Sequence, residues 1–262
     1  MAAKVGAEPA HAIFMTLSRY LTAANAAALD KDLMSIGAFS LDQLMELAGL
    51  SCMETKSRTH LDSIPSSSTK QGKKDLSSVW TGKQWKLGGD GLVAARHLWQ
   101  YGYKPTIYYP KQGSNELYQR LSTQLKSLSI PFVDDFPSAL KETDHILDAI
   151  FGFSFSGSVR EPFQSVITAM EETSLAVTSI DAPSSWDIAE GPPSSGPGAK
   201  FMPECLVSLT APKPLVKHFK GRHFLGGRFV SPEIREKYDL QLPEYEGVDQ
   251  IVEMPLEGNE KL

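Results

Sequence analysis

The chain has 262 residues, a formal net charge of −5 and 41% hydrophobic residues, which suits one large α/β domain with a substantial core. The negative charge gives no reason to expect nucleic acid or an anionic membrane as the main partner, and no apolar run approaches the ~20 residues that span a bilayer. Cys52 and Cys205 form no metal-binding or redox spacing, and residues 1–14 lack a signal-peptide core, so the cytosol is the expected compartment, with the mitochondrion as an alternative.

The N-terminal part of the chain predicts two helices and then a break in the pattern. Residues 17–33 are rich in alanine and leucine and predict a helix. A second helix is expected after Ser40, which is the N-cap with Gln43 as its capping-box partner, and it is expected to end at Gly49. Residues 51–87 contain three consecutive serines and scattered lysines without periodicity, so we expect them to be aberrant or disordered within a single domain.

Strands and helices alternate along the rest of the chain. The predicted helices are 92–101, 116–128 and 163–171, and the predicted strands are 105–109, 131–133, 145–150, 175–180 and 205–209. This alternation is typical of βαβ units and predicts a mostly parallel sheet covered by helices on both faces. Ligands of such sheets bind beyond the carboxyl ends of the strands, where Asp148 and Asp181 are expected to lie.

A glycine-rich segment precedes the helix expected at 92–101. Gly88, Gly89, Asp90 and Gly91 stand where glycine backbone and free helix N–H groups can approach an anion. An ordinary turn and helix start explains the same residues, because glycine and aspartate are common there.

A second candidate segment follows the strand at 145–150. It is composed of Gly152, Phe153, Ser154, Phe155, Ser156, Gly157 and Ser158, with Arg160 close behind. Backbone N–H groups, serine hydroxyls and an arginine suit phosphate oxygens. The alternative is a strand-to-helix loop whose phenylalanines only cover the core.

The third segment begins at Asp181, at the end of a strand. The rigid turn at Pro183 would hold this carboxylate at the sheet edge, as a general base or as an acceptor for a ribose hydroxyl. An Asx-turn aspartate is the alternative. Asp148 and the Ser184 oxygen could share a hard cation.

A cluster of basic residues is interpreted as a solvated face rather than an oligonucleotide site; its members are Lys213, Lys217, His218, Lys220, Arg222 and His223.

Taken together, these segments resemble the NAD(P)H-hydrate epimerases, also called the YjeF N-terminal domain family. The matching sequence runs begin at Gln43, Gly88, Asp148, Arg160, Asp181 and Ser208, in the family's order. The resemblance implies a Rossmann-like three-layer α/β/α fold, usually dimeric. It also implies an isomerase that interconverts the 6R and 6S forms of hydrated NADH or NADPH, so that a companion dehydratase can restore the cofactor.

The resemblance also assigns roles to individual residues. It implies a bound potassium ion, and Asp148 and Ser184 match its ligands. Residues 88–90 and 152–158 match the segments around the hydrated nucleotide, and Asp181 matches the aspartate that contacts the substrate, which we interpret as the acid/base group. Ser185 stands where the family usually has glycine.

The sequence departs from the family before Gly88, where a strand and an Asn-bearing loop are expected but Leu87 is found. Read one nucleotide later, the codons of residues 79–86 permit Cys-Gly-Pro-Gly-Asn-Asn-Gly, and the glycines at the second and seventh positions of this string are forced. We therefore hypothesise that residues 70–87 are translated out of frame, with a short insertion before Gly88. On that hypothesis the first sheet strand is corrupted and the chain as written folds poorly or is inactive.

Two other functions remain open from the sequence. One is a non-catalytic binding or scaffold module of the same fold, although the presence of both Asp148 and Asp181 favours an enzyme. The other is an ordinary dinucleotide oxidoreductase, which needs a G-x-G-x-x-G run after the first strand, and this sequence lacks that run. The expected partners are hydrated NADH or NADPH and a second copy of the chain, with no nucleic acid and no membrane.

Overall fold

The computed structural model describes residues 20–63, 74–79 and 87–255. The helices are α1 (Ala23–Ser35), α2 (Leu41–Ser63), α3 (Leu87–Gln100), α4 (Glu116–Ser127), α5 (Phe136–Leu140), α6 (Phe163–Glu172) and α7 (Pro232–Lys237). The strands are β1 (Lys74–Val79), β2 (Lys104–Tyr108), β3 (Phe132–Val133), β4 (His145–Ala149), β5 (Ala176–Ile180), β6 (Cys205–Leu209), β7 (Arg222–Gly226) and β8 (Ile251–Met254). Among these residues, no helix is long and apolar enough to cross a membrane.

The strands of the described residues form one sheet in the order β3-β2-β1-β4-β5-β6-β7-β8. Neighbouring strands are parallel from β3 to β7, and β8 joins the edge antiparallel to β7. The chain builds outward from β1 to β3 and then returns to place β4 on the other side of β1. This reversal creates a crevice at the carboxyl ends of β1 and β4, where open α/β sheets bind their ligands.

Helices cover both faces of the sheet. Along β4, Ile146 belongs to a core cluster with Phe163 and Ile167 of α6, whereas Leu147 packs with Cys52 of α2 and Ala94 of α3. Successive side chains of a strand point to opposite faces, so these neighbours define two helical layers. The expected Rossmann-like α/β/α fold is confirmed.

The start of α2 agrees with the sequence, but its end does not. The Gln43 amide donates to Ser40 Oγ at 3.2 Å, and the Ser40 amide donates to Gln43 Oε1 at 2.8 Å, which completes the expected capping box. The helix does not end at Gly49. A Cβ at Gly49 would lie 2.5 Å from Val93 Cγ1, so glycine here allows α2 and α3 to approach closely.

The expectation that residues 51–87 lack regular structure is wrong for the part that the structure describes. Residues 51–63 continue α2, because Cys52 and Met53 bury apolar side chains one turn after Ala48. Thr55 Oγ1 also donates to the Ser51 carbonyl at 3.1 Å, a bond that a helix accommodates.

The first strand is likewise present in the sequence as written. Lys74–Val79 forms β1 between β2 and β4, with Leu76 in register with Thr106 and Ile146. A parallel ladder is made by backbone N–H and C=O groups, so it forms with many side-chain sequences. Residues 64–73 and 80–86 lie outside the described residues, and the reading-frame hypothesis therefore stays a prediction.

Other differences are small or concern late elements. The helix expected at 92–101 begins already at Leu87, which puts the glycine-rich segment inside its first turn. The strand expected at 205–209 is observed with those bounds. The sequence pattern did not predict α5, α7, β7 or β8, whose lengths are four to six residues.

Candidate functional site

A buried ion pair lies at the carboxyl end of the sheet. Asp181 directly follows β5, and Lys213 lies four residues after the end of β6. The Lys213 ammonium donates to Asp181 Oδ1 and, at 2.7 Å, to the Leu209 carbonyl. The Lys213 side chain is 3% exposed and the Asp181 side chain is 2% exposed, so water screens their charges little.

The backbone at Asp181 leaves the extended conformation of β5. Its φ is +65°, in the left-handed region that side chains other than glycine enter infrequently. The Asp181 amide still bonds to the Val207 carbonyl at 2.7 Å, which continues the contact with β6. Such strain persists where the surroundings fix it, and it is typical of functional positions.

The cluster of basic residues is not one solvated face. Lys217, His218 and Lys220 are exposed, in agreement with the interpretation from the sequence, but Lys213 and His223 are buried. The pKa of His223 is lowered to about 3, first by burial and then by the charge of Lys213. Sequence reasoning therefore missed Lys213 as a site residue, although Lys213 ends the matching run that begins at Ser208.

The loop after β4 contacts both strand-end segments. The Phe153 amide donates to Asp181 Oδ2 at 3.0 Å, and the Phe151 amide donates to Ser184 Oγ at 3.2 Å. Gly152 is buried, while Ser156, Gly157 and Ser158 are exposed. The loop therefore begins beside the Asp181 carboxylate and ends in solvent, where the hydroxyls of Ser156 and Ser158 are accessible to a ligand.

Asp148 and Ser184 form a second buried contact. Ser184 Oγ donates to Asp148 Oδ1 at 2.5 Å, and its amide donates to Oδ2 at 2.9 Å. Ser179 Oγ also donates to Oδ2 at 2.7 Å. Asp148 is fully buried, and burial raises the pKa of its carboxyl, while the bonds from Ser184 and Ser179 oppose that rise.

This contact fits a potassium ion by its chemistry. Asp148 forms no ion pair with any lysine, arginine or histidine among residues 20–63, 74–79 and 87–255, so its buried charge has no protein counter-ion there. Carboxylate, hydroxyl and carbonyl oxygens are the ligands of hard cations. The same described residues contain no cluster of three histidines, cysteines or acids for a transition metal.

The glycine-rich segment lies at the start of α3 and faces α2. Gly88, Gly89 and Asp90 are all buried. A Cβ at Gly89 would lie 1.9 Å from the Met45 sulfur, so this glycine is required for the contact between the two helices. Helix packing thus explains Gly89, whereas the Asp90 side chain lines a cavity together with Asp181.

That cavity has a volume of about 80 Å³ and is bounded by α1, α2, α3 and the loops after β4, β5 and β6. Its polar lining consists of Asp30, Asp90, Asp181, Thr210 and Lys213, and its apolar lining includes Leu29, Leu33, Leu44, Met45, Phe153 and Phe229. An apolar cavity with a few converging polar groups is the usual form of a small-molecule site.

The structure therefore brings most of the expected site residues to one sheet edge. Asp181, Phe153 and Asp90 border the cavity, whereas Asp148 and Ser184 lie beneath the neighbouring loop. Arg160 is exposed and does not border the cavity.

Comparison with known proteins shows a consistent set of relatives. The family profile described as YjeF-related protein N-terminus matches residues 41–215. A curated Sclerotinia sclerotiorum protein named NAD(P)H-hydrate epimerase is 69% identical over 93% of this chain and 98% of its own length. A Schizosaccharomyces pombe protein of the same name is 52% identical over 89% of this chain and 95% of its own. The crystal structure of a yeast protein matches with a TM-score of 0.81 and 36% identity, covering 90% of this chain and 99% of that one.

Proposed function

Because the chain belongs to the family described as YjeF-related protein N-terminus, we propose that it is an isomerase that interconverts the 6R and 6S hydrates of NADH and NADPH. Relatives that share more than half of its residues over nearly their whole length are named NAD(P)H-hydrate epimerase. The observation that carries the proposal is the Asp181–Lys213 pair in the cavity at the carboxyl end of the sheet, because epimerisation needs proton transfer in a site shielded from bulk water.

The size of the cavity sets the orientation of the substrate. Sites that enclose a whole drug-sized ligand measure about 300–1,000 Å³, and this cavity measures about 80 Å³. A whole dinucleotide is too large for this cavity, so we propose that the hydrated nicotinamide ring enters it and that the rest of the dinucleotide lies outside. Exposed Ser156 and Ser158 continue the loop from Phe153 and would contact the phosphates there.

Asp181 and Lys213 together form the proton-transfer group of this site. Asp181 Oδ1 accepts from Lys213 and Oδ2 accepts from the Phe153 amide, so the carboxylate is fixed in one orientation. An ammonium has three N–H donors, and Lys213 uses two of them on Asp181 and Leu209. The third can reach the substrate's hydroxyl oxygen, to which the pair transfers a proton.

A potassium ion would be held by Asp148 and Ser184. When bound, it supplies a positive charge that fixes the loop between β4 and α6 and neutralises a buried carboxylate. The Phe151 amide donates to Ser184 Oγ. An ion that fixes Ser184 would therefore also fix the start of the loop that carries Phe153, whose amide donates to Asp181.

The experiment is an epimerisation assay with purified 6R NADPH hydrate, in which the 6S product is separated chromatographically. Asp181→Asn should lower kcat at least 100-fold, because a general acid or base typically contributes a factor of 10² to 10⁴. Asp144→Asn is the matched control, since Asp144 is an exposed aspartate at the opposite end of β4. If the parent protein fails to epimerise, or if both variants retain its rate, the proposed function is wrong.

The expected homodimer and the cytosolic location stay predictions of the sequence. A non-catalytic scaffold needs neither a buried ion pair nor a second buried carboxylate in a cavity. The same assay therefore separates the enzyme from the scaffold.

A further inference from the structure

Asp90 is one of three aspartates that line the cavity, with Asp30 and Asp181, and the Asp181–Lys213 pair does not use it. It lies in the first turn of α3 and is 6% exposed. It borders the same cavity as Asp181 and Lys213, but it enters from a helix that packs on α2 rather than from a strand end. The cavity therefore has a buried carboxylate from α3, Asp90, and another from the segment after β5, Asp181.

One buried thiol, that of Cys52, responds to the charges of both Asp90 and Asp181. Cys52 of α2 is fully buried, and its thiol has a pKa well above the usual range. Burial is the main cause, and the charges of Asp90 and Asp181 are the next two.

Inversion at C6 of a hydrated nicotinamide requires groups on two faces of the ring. The lone pair of N1 forms a double bond to C6 while the C6–O bond breaks, and the oxygen leaves as water after taking a proton from an acid. A water molecule then adds to the opposite face of the planar iminium carbon, and its lost proton goes to a base. No net oxidation occurs, and one proton is given and one is taken.

We propose that Asp90 is this second acid/base group, acting on the ring face opposite the Lys213–Asp181 pair. The inference rests on the proposed function. In one direction Lys213 protonates the departing oxygen and Asp90 accepts the proton of the entering water, and in the reverse direction protonated Asp90 donates. Proton exchange with solvent restores the starting charges after each turnover.

The experiment measures two rates on the same variants in water enriched in ¹⁸O. Epimerisation follows the conversion of 6R to 6S NADPH hydrate, and mass spectrometry follows the exchange of the C6 oxygen in each epimer. Asp90→Asn should lower kcat for epimerisation at least 100-fold. It should retain oxygen exchange in the epimer whose hydroxyl faces Lys213 and lose it in the other.

A second variant guards against a loss that is only structural. Asp90→Ala should lose the same rate and recover part of it with added formate, which replaces the missing carboxylate. If Asp90→Asn raises KM with kcat unchanged, or if both epimers keep exchanging at the parent rate, Asp90 is a binding residue and the proposal is wrong. If the parent protein itself does not epimerise, the failure belongs to the proposed function instead.

Discussion

Replacing Lys213 by methionine tests how strongly the buried ion pair stabilises the fold. The substitution keeps the length of the side chain but removes the charge, so Asp181 stays buried and loses its cationic partner. Removing one member of a buried pair typically destabilises a protein by about 3–5 kcal/mol. Asp181 keeps the Phe153 amide and a long 3.4 Å contact to the Leu209 amide, which places the expected loss near the lower figure, ~3 kcal/mol.

That loss is large relative to the whole stability of a domain, about 5–15 kcal/mol. Because 1 kcal/mol shifts Tm by about 2–4 °C in domains of this size, Lys213→Met should melt roughly 6–12 °C below the parent. Urea unfolding followed by circular dichroism measures the free energy directly. Lys220→Met is the matched control, because Lys220 is exposed and its removal should change stability by less than about 0.5 kcal/mol.

The double variant Asp181→Asn/Lys213→Met separates stability from catalysis. It removes both charges, so no unpaired charge stays buried, and it should recover at least half of the lost free energy while remaining inactive. A Lys213→Met protein that loses less than about 1 kcal/mol would refute the reasoning, because it would show that the pair is effectively solvated.

Three further predictions concern the fold around the site. Ser185→Gly should raise the free energy of unfolding by ~1 kcal/mol in a urea titration. The reason is that Ser185 has φ +82° and that its buried hydroxyl has no partner among the described residues. A lower urea midpoint would contradict this. The pKa of His223 is about 3 in the folded protein and about 6.5 in the unfolded chain, so the unfolded chain binds a proton that the folded protein does not. The free energy of unfolding should therefore fall by ~1.4 kcal/mol per pH unit below pH 6.5. His223→Gln should flatten that pH dependence. Potassium chloride should raise Tm more than choline chloride does, and Asp148→Asn should abolish the difference; an equal response in that variant would argue against a site at Asp148.

The parts of the fold set by local chemistry could be predicted from the sequence. The capping box at Ser40 and the aspartates at the ends of buried strands depend on residue type and spacing, and the structure has them where expected. The length of α2 could not be predicted in this way. Gly49 is a normal helix stop in isolation, and only the contact with Val93 shows that it lies inside a helix.

Lys213 shows the limit for the site itself. In sequence it belongs to a run of basic residues, and most of its neighbours in that run are exposed. Its burial depends on Asp181, 32 positions away, which the sheet brings to it. The reading frame of residues 70–87 is a separate question, and sequencing the genomic locus and its transcript decides it: the hypothesis fails if no correction restores an asparagine before Gly88.

The contact between Gly89 and Met45 has a consequence for the shape of the cavity. Met45 borders the cavity, and its sulfur occupies the space that a side chain at residue 89 would need. An alanine at this position would displace the Met45 thioether, by rotation about flexible bonds and without breaking α3. Met45 lines the cavity and Gly89 does not, so a substitution at residue 89 would change the shape of the cavity through its neighbour.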